Sequence, residues 1–202
     1  MKDNPKRELI LQAGSECFAR FGYDKTTLDD IGKRAGLNKA SLYYYFKNKE
    51  EIFIAVVLAE TEAFIADLRL KALSHGKPAE QVRFFLTERI RRYSEVIHLT
   101  RLSVENLQKL EPLFDEVYRE TKASEVSFLS DLLAAGSASG AFQLPGQPET
   151  VAERLFQLSD ALKHDCVRAA GRFPSAGMDF SSAIAGMDFW ANIILKPTDL
   201  KD

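Results

Sequence analysis

The sequence predicts an all-α protein of about nine helices. Apolar residues recur at intervals of three and four along nearly the whole chain of 202 residues, and the alternating pattern of a β-strand is almost absent. Capping residues, glycine and proline divide the chain into segments of helical length. The apolar fraction of 46% is that of a globular protein. No apolar run reaches the roughly 18 residues that a membrane-spanning helix needs.

The first four predicted helices have clear start and stop signals. Gly22 and Gly36 are placed to end the first two helices in the left-handed conformation that glycine adopts readily. One of Thr26 and Thr27, then Asn38, then Asn48 are placed to cap the next three helices, because their side-chain oxygens can accept hydrogen bonds from the first backbone N–H groups. The predicted ranges are 5–21, 27–35, 38–45 and 48–73.

Five further helices are predicted in the rest of the chain. Pro112 is expected to separate two of them, because proline lacks a backbone donor and clashes with the preceding helical turn. The stretch 136–148 is rich in glycine, serine and proline and is expected to be a loop. The predicted ranges are 79–97, 101–110, 113–135, 149–170 and 179–195. We divide the chain into an N-terminal three-helix domain, residues 1–48, and a helical body, residues 49–202.

The second and third helices have the spacing of a helix-turn-helix, a motif that places its second helix in the major groove of DNA. The helix over 38–45 is too short to be stable alone, so Leu42 and Phe46 must pack it against its neighbours. The opposite face is left for DNA. Lysines there can donate to guanine or phosphate, and hydroxyl groups can donate to phosphate. The predicted DNA contacts are Thr27, Lys39, Ala40, Ser41, Tyr43, Tyr44, Lys47 and Lys49.

The charge is distributed unevenly along the chain. Residues 1–50 hold ten Lys/Arg and seven Asp/Glu, a net charge of +3, and the remainder holds 17 against 22, a net charge of −5. A basic head on an acidic body suits a protein whose DNA contacts are confined to one end.

Residues 5–55 resemble the DNA-binding domain of the TetR family of bacterial repressors. Gly32 departs from the alanine that is usual in the family, and Asn38 from the usual serine or threonine. The resemblance implies a dimeric repressor that a small molecule releases from a palindromic operator. A cytoplasmic location is expected because the sequence shows no membrane span and its first ten residues have no hydrophobic signal core. It rests on Phe21-Gly22-Tyr23, Thr26-Thr27, Ile31, Ala35-Gly36-Leu37, Leu42-Tyr43, Tyr45-Phe46 and Lys47-Asn48-Lys49-Glu50.

A dimer is expected because one helix-turn-helix makes few base contacts, so specific affinity requires two heads on a two-fold symmetric site. The last two predicted helices carry long apolar stripes. The resemblance implies that these helices form a four-helix interface between two subunits. The predicted interface residues are Leu155, Leu158, Leu162, Ile184, Met187, Trp190, Ala191 and Ile194.

The resemblance also implies a small-molecule site among the middle helices. Aromatic and aliphatic residues dominate these helices, so we expect a largely apolar or aromatic ligand. Arg89 lies on an apolar stripe and needs a partner, which could be Glu105, Glu125 or a ligand carboxylate. The candidate ligand-binding residues are Phe64, Arg89, Tyr93, His98, Phe114, Tyr118 and Phe128.

Two other functions stay open at this point. The protein could be a DNA-binding regulator that a protein partner controls, without a small-molecule effector. It could also be a small helical enzyme, but the sequence has no glycine-rich phosphate loop, nucleophile elbow or metal-ligand spacing. We therefore expect no catalytic residue, metal or cofactor. Cys17 and Cys166 are expected to be buried thiols, with a redox role of Cys166 as the alternative.

Overall fold

The structure, a computed structural model, describes residues 5–172 and 178–197. Within these ranges the chain forms eight α-helices and no β-strand, which confirms the predicted all-α class. The helices are α1 (Pro5–Phe21), α2 (Leu28–Ala35), α3 (Lys39–Tyr45), α4 (Lys49–Ser74), α5 (Pro78–Thr100), α6 (Val104–Ala138), α7 (Pro148–Arg172) and α8 (Ser181–Ile194). No helix of this described part is both long and apolar enough to cross a membrane.

The difference from the predicted nine helices lies in α6. The prediction separated residues 101–110 from 113–135, whereas the structure has one helix of 35 residues with Pro112 inside it. A proline inside a helix costs about 3 kcal/mol. Packing on both sides of Pro112 offsets this cost, since Leu107 and Leu110 are buried before it and Leu129 and Leu133 after it. The predicted loop over 136–148 correspondingly begins later, after Ala138.

The chain divides into two compact units. The first contains Met1–Ala63 and Glu95–Tyr118, and the second contains Phe64–Ser94 and Arg119–Asp202. The helices α4, α5 and α6 each contribute residues to both units. The division between residues 48 and 49 separates predicted functions rather than compact units, and it stays a prediction.

The core of the first unit lies beneath the helix-turn-helix. The rings of Phe18, Tyr23 and Phe53 form a buried cluster, with centroids 4.8 to 5.9 Å apart. Gly22 ends α1 with a φ of 81°, as predicted. The buried hydroxyl of Thr26 then donates to the Gly22 carbonyl over 2.7 Å. The chain therefore enters α2 from a fixed turn.

The connection between α5 and α6 belongs to the same unit and holds this turn in place. The Tyr23 N–H donates to the Thr100 carbonyl over 2.7 Å. The Asn106 amide donates to Asp24 over 2.7 Å. The Lys109 ammonium donates to Glu50 over 2.6 Å, and this bond lowers the pKa of the Glu50 carboxyl. The helix-turn-helix is thus anchored by residues far away in sequence.

The second unit is built around a layer of aliphatic and aromatic side chains. The helices α5, α6 and α7 supply most of this core, and its fully buried members include Val82, Phe85, Leu86, Ile90, Leu129, Leu133, Phe142, Leu155 and Phe156. The helix α8 lies against α7, where Leu162 contacts Gly186. Gly136 leaves room for the Phe142 ring, since an added Cβ would lie 2.2 Å from Phe142 Cζ.

Candidate nucleic-acid interface and effector region

The start of α2 is fixed by a capping box. The Asp30 N–H donates to Thr27 Oγ1 over 3.2 Å, and the Thr27 N–H donates to Asp30 Oδ2 over 2.9 Å. The hydroxyl of Thr27 also donates to Asp30 over 2.6 Å, and these bonds from Thr27 lower the pKa of the Asp30 carboxyl. Thr27 is exposed, but its hydroxyl is already hydrogen-bonded to the side chain and the backbone N–H of Asp30. A phosphate at this helix end would therefore meet mainly backbone N–H groups.

The turn between α2 and α3 allows the two helices to approach closely. Gly36 has a φ of 67°, a left-handed conformation that favours glycine. A Cβ on Gly32 would lie 3.0 Å from both the Leu37 carbonyl oxygen and Leu42 Cδ1. Gly32 thus makes a tight contact with the buried Leu42. The helix-turn-helix forms with glycine at both positions, Gly32 and Gly36.

The helix α3 presents one face to its own unit and the other to solvent. Asn38 caps it as predicted, since its side chain accepts from the Ser41 N–H over 2.9 Å. Leu42 and Phe46 are buried, also as predicted. The solvent face contains the exposed residues Lys39, Ala40, Tyr43 and Tyr44, and Ser41 is half-buried beside them. These five predicted DNA contacts therefore lie on the same short helix.

The two tyrosines of this face are unusually accessible for aromatic residues. Tyr44 is 82% exposed and Tyr43 is 48% exposed, whereas Tyr45 is half-buried. The Tyr44 ring contacts the edge of Tyr45 at a centroid distance of 4.9 Å. The Lys39 ammonium lies 6.0 Å from the Tyr43 ring and 3.9 Å from Asp29. The face thus combines aromatic rings, hydroxyl groups and a cation, which suits contacts with DNA.

The two lysines at the start of α4 differ in accessibility. Lys47 is exposed, and its backbone N–H donates to Glu51 over 2.8 Å. The Lys49 ammonium donates to the Tyr23 carbonyl over 2.8 Å and lies 4.3 Å from the Tyr23 ring. Burial lowers the pKa of this ammonium. Lys47 is therefore the more available cation for a phosphate, while a contact from Lys49 would have to compete with Tyr23.

In the second unit, the partner of Arg89 is Glu125. The Arg89 Nε donates to Glu125 Oε2 over 2.5 Å, and the guanidinium carbon lies 3.8 Å from the centroid of the Phe156 ring. The Arg89 side chain is only 7% exposed, and Glu125 is fully buried. Of the partners that the sequence left open, the structure thus has Glu125 in contact with Arg89.

The other candidate ligand-binding residues are divided between the two units. Tyr93 lies in the second unit with its ring 5.4 Å from Phe180, and Phe128 lies 5.1 Å from Phe85. Phe64 lies in the same unit beneath Arg92, at 5.6 Å. In the first unit, the rings of Phe114 and Tyr118 stack at 5.0 Å, and His98 is exposed. The predicted set therefore does not form one cluster within either unit.

The sequence analysis did not select a second group of ion-paired residues in the second unit, centred on Asp160. The Asp160 carboxylate pairs with Lys122 over 2.8 Å and with Lys163 over 2.9 Å. The Lys163 side chain is 15% exposed, and its ammonium lies 4.7 Å from the Tyr93 ring. The helical spacing, which puts Lys163 four residues after the buried Ser159, could have indicated that Lys163 is partly buried.

The two members of this ion pair respond differently to burial. Burial of Asp160 opposes its ionisation, but the charge of Lys163 and hydrogen bonds from both lysines outweigh it and lower the pKa of Asp160 to about 2. Burial also dominates at Lys163, and it lowers the pKa of that ammonium despite the attraction of Asp160.

The predicted interface residues on α7 and α8 fall into two groups. Leu155, Met187 and Ala191 are buried within the second unit. Trp190 is exposed, and the half-buried residues of the set are Leu158, Leu162, Ile184 and Ile194. The neighbouring Phe189 is 59% exposed, and Ile193 lines an open groove together with Leu144 and Pro145. The accessible residues are available to contact a second copy of the chain, whereas the buried ones pack inside their own unit.

The remaining sequence predictions concern cysteines and metals. Both cysteines are buried free thiols, and the Cys166 sulfur lies 3.5 Å from the Ser182 hydroxyl. Burial raises the pKa of the Cys17 thiol. Over residues 5–172 and 178–197, no group of three His, Cys, Asp or Glu side chains is placed to hold a metal ion.

Comparison with known proteins gives matches in both sequence and structure. The family model for bacterial regulatory proteins, tetR family, matches residues 10–56. The chain is 29% identical over 164 residues to YhgD, an uncharacterized HTH-type transcriptional regulator of Bacillus subtilis (strain 168). This match covers 79% of this chain and 83% of YhgD. A crystal structure of a transcriptional regulator from Cytophaga hutchinsonii has a TM-score of 0.77 at 27% identity, and covers 96% of this chain and 98% of that one.

A match of higher identity is confined to a short part of the chain. The chain is 49% identical over 47 residues to IcaR, the biofilm operon icaADBC HTH-type negative transcriptional regulator of Staphylococcus epidermidis. This match covers 23% of this chain and 25% of that protein. The relatives are thus transcriptional regulators, and the similarity is highest where the helix-turn-helix lies.

Proposed function

Because the chain belongs to the TetR family of bacterial regulators, we propose that it is a homodimeric repressor, released from an inverted-repeat operator by a small effector. The observation that carries this proposal is the solvent face of α3, where two accessible tyrosines and a lysine stand on a capped helix. Tyr44 is 82% exposed and so contributes little to the packing of its own unit. It suits a partner that offers phosphates, sugars and base edges.

In this proposal α3 enters the major groove. Lys39 and Ala40, in the first turn of α3, approach the base edges, and Tyr43 and Tyr44 contact the sugar–phosphate backbone. Thr27 and Lys47 contact phosphates on either side. Lys49 acts mainly by holding Tyr23, because its ammonium already donates to the Tyr23 carbonyl.

Dimerisation rests on the accessible apolar side chains of α7 and α8. A two-fold interface uses the same patch on both subunits, so a helix pair that exposes Trp190, Phe189 and Ile193 can be covered by its own copy. Contiguous exposed apolar surface of this kind is typical of interaction sites. Repression is supported by the head's similarity to IcaR, a negative regulator.

The effector is proposed to bind in the second unit, whose core is rich in aromatic residues. This unit contains Phe85 on α5, Phe128 on α6 and Phe156 on α7. Aromatic side chains of this kind suit a ligand with an apolar or aromatic body. Binding shifts the repressor toward release only if the effector binds the released state more tightly than the DNA-bound state.

Selection of bound DNA from a random library tests the proposed function. The purified protein is expected to enrich one inverted repeat, and Tyr44→Ala is expected to retain the fold but bind this sequence more weakly. Because Tyr44 is 82% exposed, its loss should leave the melting temperature unchanged. Failure to enrich any sequence at moderate salt would contradict the proposal.

A further inference from the structure

A cluster of charged side chains lies in the second unit, where Arg89 and Glu125 are buried, Asp160 and Lys163 are partly buried and Lys122 is 43% exposed. It is defined here as the charge cluster: Arg89, Lys122, Glu125, Asp160 and Lys163. We propose that the charge cluster, together with Ser159, binds the carboxylate of a small amphipathic acid. The site itself stands on this geometry, and only its role as an effector site rests on the proposed function.

The balance of charge favours an anion. The charge cluster contains three cations and two carboxylates, a net charge of +1. Burial, and after it the charge of the Arg89 guanidinium, lowers the pKa of the Lys163 ammonium, while the Asp160 and Glu125 carboxylates oppose this shift. Like charges in a buried region are stabilised by an additional counter-charge. One monoanion neutralises the charge cluster.

Two buried donors lack an acceptor. Among the described residues, Arg89 Nη1 and Ser159 Oγ are both buried and have no hydrogen-bond partner. The Arg89 side chain is 7% exposed and Ser159 is fully buried. A buried polar group normally finds a partner, because leaving one unpaired is costly. A carboxylate has two oxygens and can accept a hydrogen bond from each of these donors.

The two donors are brought together by α7. Phe156, Ser159 and Lys163 follow one another at intervals of three and four, so they share one face of the helix. The Arg89 guanidinium lies over Phe156, the first of the three. Ser159 is thus about one helical turn after Phe156, whose ring contacts Arg89, and Lys163 is one turn after Ser159.

The surroundings of the charge cluster indicate what the acid carries. The Arg89 guanidinium lies against the Phe156 ring, and the Lys163 ammonium lies against the Tyr93 ring, which in turn contacts Phe180. An aromatic or short aliphatic body can pack on these rings. A phosphate would bring about two negative charges, more than the single excess positive charge. The ligand class is therefore a monocarboxylate with an apolar body.

Calorimetric titration of the full-length protein tests this site. The probes are benzoate, hexanoate and decanoate, each paired with its neutral amide of nearly identical shape: benzamide, hexanamide and decanamide. At least one acid is expected to bind with one site per chain, and at least about tenfold more tightly than its amide. Equal affinity for acid and amide, or no binding by any of the six probes, would overturn the proposal; the two donors would then be served by ordered water.

Two variants separate the site from general stability. Ser159→Ala removes one donor with little change in volume and is expected to weaken acid binding about fivefold to tenfold. Its matched control is Ser130→Ala, since Ser130 is also a buried serine but lies on α6 outside the charge cluster. The double variant Arg89→Met with Glu125→Gln avoids an unpaired buried charge and is expected to abolish the preference for the acid. An acid preference unchanged in both variants would place the ligand elsewhere.

Measuring DNA binding in parallel distinguishes this inference from the proposed function. If acid binds at the charge cluster but the protein enriches no DNA sequence, the site stands and the repressor proposal fails. If the protein binds an operator and a neutral compound releases it, while no acid binds, the repressor proposal stands and the site fails. Release of a selected operator by the bound acid supports both.

Discussion

The side chains of α3 divide into those that stabilise the fold and those that are free to bind. Leu42 and Phe46 are buried, and their neighbours Lys39, Tyr43 and Tyr44 are exposed. Substitutions on the exposed side should therefore change DNA binding without changing stability. The two effects can be measured separately.

Lys39 gives the sharpest test of this separation. Lys39→Ala should weaken operator binding while the melting temperature stays within about one degree, because an exposed surface side chain contributes little to stability. If the ammonium contacts a phosphate, the salt dependence of binding should fall by about one ion; if it contacts a guanine, discrimination at one base pair should be lost.

The control for this measurement is Lys33→Ala. Lys33 is an exposed lysine on α2 and is not among the predicted contacts. The Lys33→Ala variant should bind the operator with the same affinity as the wild type. Equal losses in the two variants would mean that the head attracts DNA only through its overall charge.

Asp160 provides a pH-dependent test in the second unit. Its pKa is lowered from 3.8 to about 2 in the folded protein. A lowered carboxyl pKa contributes stability that is fully present above the unfolded value and is lost as the pH falls through the folded value. We therefore expect Asp160→Asn to be less stable than the wild type by roughly 2 kcal/mol at neutral pH.

This difference should shrink as the pH falls from about 4 to about 2, where the protonated carboxyl becomes comparable to the amide. Urea unfolding at several pH values measures it. A stability difference that is independent of pH would contradict the account of this ion pair.

At the scale of the element, some features of the fold can be predicted locally and others cannot. The caps at Thr27, Asn38 and Asn48 are predictable because each involves bonds within a few residues. The continuity of α6 through Pro112 is not, because it depends on packing at both ends of a 35-residue helix. The pairing of Asp160 with Lys122 joins residues 38 positions apart, and no local pattern indicates it.

The end of α6 depends on a close contact with a glycine. An added Cβ on Gly136 would lie 2.2 Å from Phe142 Cζ and 3.0 Å from Pro78 Cβ. Gly136→Ala should therefore destabilise the protein by about 1–3 kcal/mol through overpacking, although the better helix propensity of alanine offsets about 1 kcal/mol. Thermal unfolding measures the loss.

The matched control is Gly146→Ala in the connection between α6 and α7. Nothing lies within 4 Å of an added Cβ at Gly146, and its φ is not in the left-handed region. The control should change the free energy of unfolding by less than about 0.5 kcal/mol. Equal effects at the two positions would show that the Phe142 contact does not determine the loss.

At the scale of the whole molecule, the charge distribution and the accessible apolar residues of α8 have complementary roles. The first 50 residues carry a net charge of +3, which favours contact with DNA at that end. The apolar residues of α8 provide the surface for the proposed dimer. Function in this proposal requires both, because two weak heads bind one operator tightly only when they are joined.

Trp190 tests the dimer directly. Trp190→Asp should convert the protein to a monomer in sedimentation velocity experiments, because a charge in an apolar interface is costly to desolvate. The control is Leu70→Asp, which changes a 71% exposed leucine on α4, outside the α7 and α8 surface. Leu70→Asp should remain dimeric. A dimer in both variants would show that the interface lies elsewhere.

The most direct measurement of the central claim is the affinity of the protein for the selected inverted repeat, for one half of that repeat and for random DNA of the same length. We predict two chains per inverted repeat, with affinity about a thousandfold higher than for random DNA at physiological salt. The half-site should bind much more weakly than the full repeat. Equal affinity for all three DNAs would contradict the account of a dimeric, sequence-specific regulator.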